Sequence, residues 1–447
     1  MRRLPWCMRT FMRRGALIAL TAVQSLVACG SNLLGFTNEE DAGSTASLPP
    51  TFDGAVLTDA VADIDVSAPY DASDQAVSCA TTPCVVELVG GALHFCARTR
   101  DSKVWCWGAA AALPADVADA GSPDASSVVA PRLVPVDGAT QLSAADSLTC
   151  ARITDGSLRC WGTESTEVGL LGLAQAADAG GIRSIRFDEF DAGGAEYVVV
   201  GPRAIYARTS SEAVISWGLP YLTAHAPPDD GLPRVASLLD PSVIEMASAY
   251  TTIALTAGGK ALSWGGSEVT LGRESPVIPD PVPHQIPTLP AGITSVAMSW
   301  ALGCAVAGGD VYCWGTKARL PLRQPTQGPA RAQRVYANPL GTKTGHDRVI
   351  VRMTDGTLEC QGTDYFGECG IPYGAVVLDE SNTFVPKFAP ANLVTGDVVS
   401  VAMATTTTCV LLRDGSVECF GGNKHGELGH GTADDSRHSN PERIRFE

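Results

Sequence analysis

Residues 150–162 read Cys150-Ala151-Arg152-Ile153-Thr154-Asp155-Gly156-Ser157-Leu158-Arg159-Cys160-Trp161-Gly162. Two short runs of strand-forming residues flank Asp155-Gly156, a turn that tolerates positive φ and is the strongest short-range signal for a β-hairpin. The phrase recurs. Copies end at Gly108, Gly162, Gly218, Gly265, Gly315, Gly362 and Gly421, a period of about 47 to 59 residues, which belongs to propeller blades rather than helical solenoids. Turns fall at Asp101, Gly258-Gly259, Gly308-Gly309, Asp355-Gly356 and Asp414-Gly415, with a degraded one between Tyr206 and Gly218. Upstream of most copies lies another apolar run, such as Val243-Ile244-Glu245-Met246-Ala247 or Val401-Ala402-Met403-Ala404. One hairpin cannot hide an apolar face, but small sheets stacked in a ring can. The expected fold is all-β, a seven-bladed β-propeller over residues 79–447. About 370 residues divide into seven blades with little left over.

The cysteines follow the hairpins. Cys96 and Cys106, Cys150 and Cys160, and Cys409 and Cys419 lie symmetrically about three-residue turns, whereas Cys304 and Cys313 are one residue closer around Gly308-Gly309. The spacing shortens with the turn, as it must if each pair sits opposite across a hairpin. Blades three and four replace both members together, with Tyr206 and Ser216, and with Ile253 and Ser263. Cys360 faces Ile350 and is assigned to Cys369, and Cys79 and Cys84 form a local pair. With Cys7 in the leader and Cys29 set apart, twelve cysteines make six disulfides, a pattern of oxidising compartments. Zinc is the competing reading, but the pairs come one per blade without two CxxC-like halves.

The last copy continues past Gly421 as Gly422-Asn423-Lys424-His425-Gly426-Glu427-Leu428-Gly429-His430-Gly431. From Cys409 onward it closely resembles the regulator of chromosome condensation repeat, and the resemblance spans roughly residues 80 to 447. It implies a seven-bladed propeller. The Gly-x-Asn-x-x-Gly-x-Leu-Gly tail is complete only here; Gly362 to Gly370 is close, and blades one, three and five have lost it. His94 stands where repeats of that family often carry a histidine bonded inside the blade. Most blades open through a Pro-containing strand such as Pro131-Arg132-Leu133-Val134-Pro135-Val136, which blade one lacks, so Pro441 to Phe446 is expected to complete blade one and latch the ring.

The N-terminus reads as an export signal. Arg2, Arg3, Arg9, Arg13 and Arg14 precede an apolar stretch from Ala16 to Ala28, too short to span a bilayer comfortably. It ends in Leu26-Val27-Ala28-Cys29-Gly30, which looks like the lipobox of bacterial lipoproteins; that resemblance implies a lipid-anchored Cys29 after removal of residues 1–28. Gly30, rather than Asp, after the cysteine implies the outer membrane. An ordinary signal peptide or a retained anchor is the alternative. Residues 29–78 carry nine acidic residues, and there is no Lys or Arg from Gly15 through Ala97. Low aromatic content and one sign of charge predict a disordered tether, on the order of 40 Å end to end. Asp59 to Asp65 lacks the glycine and terminal glutamate of an EF-hand loop.

The net charge is −16 and becomes roughly −21 once the five leader arginines leave, which argues against nucleic-acid binding. One segment departs from this balance. Lys317, Arg319, Arg323, Arg331, Arg334, Lys343 and Arg348 face only Asp347 between residues 317 and 348. A solvated loop accounts for them; a patch for an anionic partner is the sharper alternative. No His-Glu-x-x-His motif, phosphate loop, nucleophile elbow or dinucleotide fingerprint occurs. Trp107, Trp161, Trp217, Trp264 and Trp314 are repeat positions and read as inter-blade packing. No cofactor or metal is expected, and the chain is expected to be a monomer. The expected function is a lipid-anchored, non-catalytic envelope scaffold binding a protein or glycan through its long insertions, residues 109–130, 163–195, 219–237 and the basic loop. An envelope-polymer hydrolase or lyase with a channel-mouth site, and a structural envelope component, are the alternatives.

Overall fold

A computed structural model describes residues 76–118, 126–163, 170, 181–187, 194–225, 233–338, 347–374 and 384–447. The expected signal segment, Cys29, and the tether up to residue 75 lie outside the described residues. Seven four-stranded antiparallel sheets succeed one another, and within each the order in space is the order in sequence. Blade one holds Val85–Gly90, His94–Thr99, Val104–Ala109 and Ser127–Val134, and blade seven holds Val398–Met403, Thr407–Leu412, Val417–Asn423 and Asp434–Arg443. The first strands of successive blades lie side by side, and that of blade seven lies beside that of blade one. The ring is a closed seven-bladed propeller.

The Trp-Gly phrase ends the third strand of five blades, and both residues have a physical reason. Trp107, Trp161, Trp217, Trp264 and Trp314 are all essentially fully buried. Four of them donate the indole N–H to a main-chain carbonyl in the preceding blade's outer loop: Trp107 to Glu427 at 2.8 Å, Trp217 to Leu170 at 2.9 Å, Trp264 to Leu222 at 2.6 Å and Trp314 to Thr270 at 2.8 Å. Each indole therefore packs and pins neighbouring blades. The glycine that follows has φ between 101° (Gly162) and 152° (Gly315), and a Cβ at either would collide with a carbonyl oxygen of the first turn, Ser147 or Ala301. Only glycine permits that close approach.

The six disulfides form the expected pairs. Cys96 and Cys106, Cys150 and Cys160, Cys304 and Cys313, and Cys409 and Cys419 are direct cross-strand partners, with Cα atoms 4.1 to 4.2 Å apart. Where the pair is missing, the third strand ties itself to the outer loop instead. Ser216 donates its hydroxyl to the Thr223 carbonyl, and Ser263 donates to Leu271 at 2.6 Å. Cys360 makes the same connection covalently, through Cys369.

The expected latch is overturned. Asp434–Arg443 is the fourth strand of blade seven, with Glu442 opposite Cys419 and Arg443 opposite Glu418. Pro131 likewise lies in the fourth strand of blade one, where Arg132 pairs with Cys106. The Pro-containing strands thus finish blades rather than open them, as befits outer positions where a missing N–H costs no ladder bond. Blade one lacks nothing; its first strand is Val85–Gly90.

Closure falls to the N-terminal segment. At three seams, the first amide of a blade donates to the hairpin-turn glycine carbonyl of the blade before: Ala195 to Gly156 at 2.8 Å, Ile293 to Gly259 at 3.2 Å and Ala332 to Gly309 at 3.0 Å. Val85 makes the same bond to Gly415 at 3.0 Å, across the seam where no chain connects blade seven to blade one. Residues 78–84 occupy the place of the missing linker. The amides of Ser78 and Ala80 donate to Arg413 and Asp414 at 2.7 and 2.8 Å, and the Cys79–Cys84 disulfide closes this segment into a loop. From the other terminus, Phe446 sets its ring edge-on to Trp105 and Trp107.

Candidate functional site

The first strands enclose a central cavity of about 850 Å³. Each carries a bulge after its first residue, for example between Val85 and Glu87 or between Val243 and Glu245; bulges re-aim side chains at barrel and channel rims. The third residue of the strand is Glu87, Gln141, Tyr197, Glu245, Ser295, Arg334 or Ser400. A polar girdle therefore crosses otherwise apolar strands near the end where they start. That end is beside the hairpin turns, because Val85 pairs with Thr99, immediately before the first hairpin turn.

Several girdle groups hold the next blade. Gln141 accepts the Val198 N–H at 2.9 Å and donates to the Val198 carbonyl at 3.0 Å. Ser295 accepts from Val335 at 3.3 Å. Glu87 accepts from Leu142 and Glu245 from Val296. Glu87 is also bound by Arg98 at 2.7 Å, whereas Arg334 stands 3.7 Å from Glu245, reaching across blade five, where the girdle residue is the small Ser295. Burial pushes the Glu245 carboxyl above its ordinary range against the pull of Arg334. Burial also pushes the Tyr197 phenol up to about 12, and that hydroxyl senses Glu245, Arg334, Arg208 and Glu87 together. The two acid–base pairs thus converge on one mouth.

The opposite end of the ring carries the first turns and outer loops. On it, Arg203 lies over the rings of Tyr250 and Trp300, 5.5 and 5.3 Å from their centroids. Tyr250 and Trp300 are 5.0 Å apart and Tyr221 is 5.9 Å from Tyr250; all four residues are half-buried. Burial, with Tyr250 alongside, pushes the Tyr221 phenol up to about 12. Asp347, on the same end, is pushed up to about 6 by burial although Ser299 and Lys317 face it. The described parts of the long insertions, including Ala110–Ala112 and Pro220–Leu222, start from this end; residues 119–125, 164–169, 171–180, 188–193, 226–232 and 339–346 lie outside the described residues.

The predicted basic patch is not one surface. Arg319 pairs with Glu268, and Arg323 pairs with Asp310 at 2.8 Å. Arg331 donates to the Gly308 carbonyl at 2.7 Å on the hairpin-turn end. Arg334 is in the channel, and Lys317 is the one that faces Asp347. Lys343 lies outside the described residues. His94 is fully buried, and its Nε2 meets Thr149 Oγ1 at 2.7 Å; it joins blade one to blade two rather than bonding inside its own blade. Burial holds its imidazole down at about 4, hence neutral.

The girdle and the aromatic cluster were missed from sequence. The signal for the first was one polar residue recurring third in each apolar run, as in Val243-Ile244-Glu245. For the second it was Trp300, a tryptophan outside the Trp-Gly positions. Among the described residues, no helix is long and apolar enough to cross a membrane.

No protein-family model matches the chain, and no curated protein matches it. Among solved structures it is similar to yeast RCC1 (Prp20) in complex with Kap60, at 16% identity over 81% of this chain and 75% of that one, with a TM-score of 0.44. Human WBSCR16 is similar at 16% identity over 82% and 83%, TM-score 0.45, and the ectodomain of the Arabidopsis thaliana receptor kinase ACR4 at 16% over 80% and 99%, TM-score 0.44. At these scores the propeller assignment rests on the chain's own strand order.

Proposed function

We propose that this chain is a lipid-anchored cell-envelope scaffold that binds a protein partner, without catalysis, through the end of the ring bearing its outer loops. The observation that carries this reading is the difference between the two ends. The N-terminal segment is tied down beside the hairpin turns, through Ser78 and Ala80, so the chain enters the ring at that end. The opposite end carries Arg203, Tyr221, Tyr250 and Trp300 in mutual contact. Trp, Tyr and Arg are the residue types that dominate binding energy at protein interfaces, and packing them together beforehand reduces the entropy lost on binding. The twelve paired cysteines support an oxidising compartment such as a periplasm or cell surface.

Crosslinking in intact cells followed by mass spectrometry tests the reading. A stoichiometric partner is expected, crosslinked to residues of the loop end and lost on Trp300→Ala with Arg203→Ala; a partner retained by that double variant overturns it. Labelling with a radioactive fatty acid tests the anchor, since Cys29→Ser should abolish incorporation.

A second reading, an envelope-polymer hydrolase or lyase, draws on the carboxylates at the channel mouth. Glu87 and Glu245 are each engaged by an arginine and a main-chain amide, which favours a holding role over proton transfer. Release of reducing ends from an envelope polysaccharide, lost in Glu245→Gln, would reverse that preference.

A further inference from the structure

The channel mouth lies at the other end of the ring from the proposed partner face, and its chemistry is its own. Glu87, Glu196 and Glu245 share the cavity wall with Arg98, Arg152 and Arg334. Three charges of each sign balance, so the site offers no net field to a strongly charged ligand. Its deeper wall is aliphatic, including Val89, Val199 and Ala247.

The two acid–base pairs are unequal. Glu87 and Arg98 are in hydrogen-bond contact at 2.7 Å. Glu245 and Arg334 approach only to 3.7 Å, with the Glu245 side chain 16% exposed. A carboxylate and a guanidinium at that separation are placed to bind one hydroxyl together, which donates to the carboxylate and accepts from the guanidinium. Aromatic rings flank the pair. The Arg334 guanidinium lies 5.5 Å above the Tyr336 ring, and Tyr197 stands near enough for its hydroxyl to sense Glu245 and Arg334. Donors and acceptors alternating beside aromatic faces, with no net charge and an apolar floor, match a ring that carries hydroxyls on its edge and C–H bonds on its face.

We propose that the channel mouth binds a neutral oligosaccharide, with Glu245 and Arg334 together engaging one hydroxyl of a sugar ring and Tyr197 and Tyr336 contacting its C–H face. A cavity of about 850 Å³ is in the range of small-molecule pockets and has room for about two or three sugar rings.

The test is isothermal titration of the purified full-length chain with maltotriose, cellotriose and triacetylchitotriose in turn, with saturation-transfer NMR to detect weak binding. At least one trisaccharide should saturate the protein. Glu245→Gln and Arg334→Lys should each weaken that binding about tenfold. Ala247→Phe, which narrows the channel and leaves Glu245 and Arg334 in place, should abolish it, and Trp300→Ala should leave it unchanged. Melting curves check that each variant folds, and Ala247→Phe keeps the test decisive if a girdle variant does not. Absence of a signal from all three sugars overturns the proposal, as does binding that survives both Glu245→Gln and Ala247→Phe. Loss of binding in Trp300→Ala alone would move the sugar site to the loop end and equally overturn it.

Discussion

Trp161 and Trp217 hold equivalent places in adjacent blades, yet only one indole N–H is bonded. Trp217 donates to Leu170, while Trp161 Nε1 is buried with no partner among the described residues. Phenylalanine keeps the packing and removes the donor, so Trp217→Phe should cost about 1 kcal/mol more than Trp161→Phe in urea unfolding; equal costs would show that the pins contribute packing alone. Glu427 offers a test through protons. It is buried, accepts the His425 amide, and its carboxyl is pushed up to about 7 by burial from an ordinary 4.5. The folded chain holds this proton more tightly than the unfolded chain, so the contribution is fully present below about pH 4.5 and is lost as pH rises through 7. Glu427→Gln should raise the melting temperature at pH 8 and leave it unchanged at pH 4. An equal gain at both would mean that charge is not the cause.

Among the elements, hairpins were legible and outer strands were not. Cys150 and Cys160 fix their own register about Asp155-Gly156, since pairing across a short turn is a local matter. Pro131 to Val134 gave no such cue. It lies a short linker from the next first strand, Ala139–Ala145, but pairs back across the 109–126 loop with Val104–Ala109. Proximity in sequence pointed to the wrong neighbour, and the misplaced latch followed from that. The true closure yields its own prediction. Val85 N–H makes the bond made by Ala195, Ile293 and Ala332, but without a covalent linker, so native-state hydrogen exchange should be faster at Val85 than at those three amides. Cys79→Ser with Cys84→Ser should widen the difference while leaving the other seams unchanged; uniform protection around the ring would refute a weak seam. Phe446→Ala should cost about 1–2 kcal/mol and shift the fluorescence of Trp105 and Trp107.

For the whole molecule, repeats revealed the ring and concealed what it holds. A girdle of seven side chains forms only when seven strands converge, and Glu245 and Arg334 are 89 positions apart in sequence yet face each other. The basic run divides for the converse reason: Lys317 faces Asp347 at the loop end, and the strand Leu322–Gln324 then crosses the blade and delivers Arg323 to Asp310 and Arg331 to Gly308 at the hairpin-turn end. Sequence neighbours on a propeller are not surface neighbours. The seam between blades seven and one has one more implication. Ser78 and Arg443 both bond to the Arg413-Asp414 turn, the first through its amide and the second through a 2.7 Å ion pair with Asp414. Both ends of the folded unit thus meet at one turn. A circular permutant that splices residue 447 to residue 76 and opens the chain between blades four and five should fold to the same ring, because the seam it opens is held by Ile293 N–H to Gly259 at 3.2 Å, the same amide-to-glycine contact that already closes the ring without a linker at Val85 and Gly415.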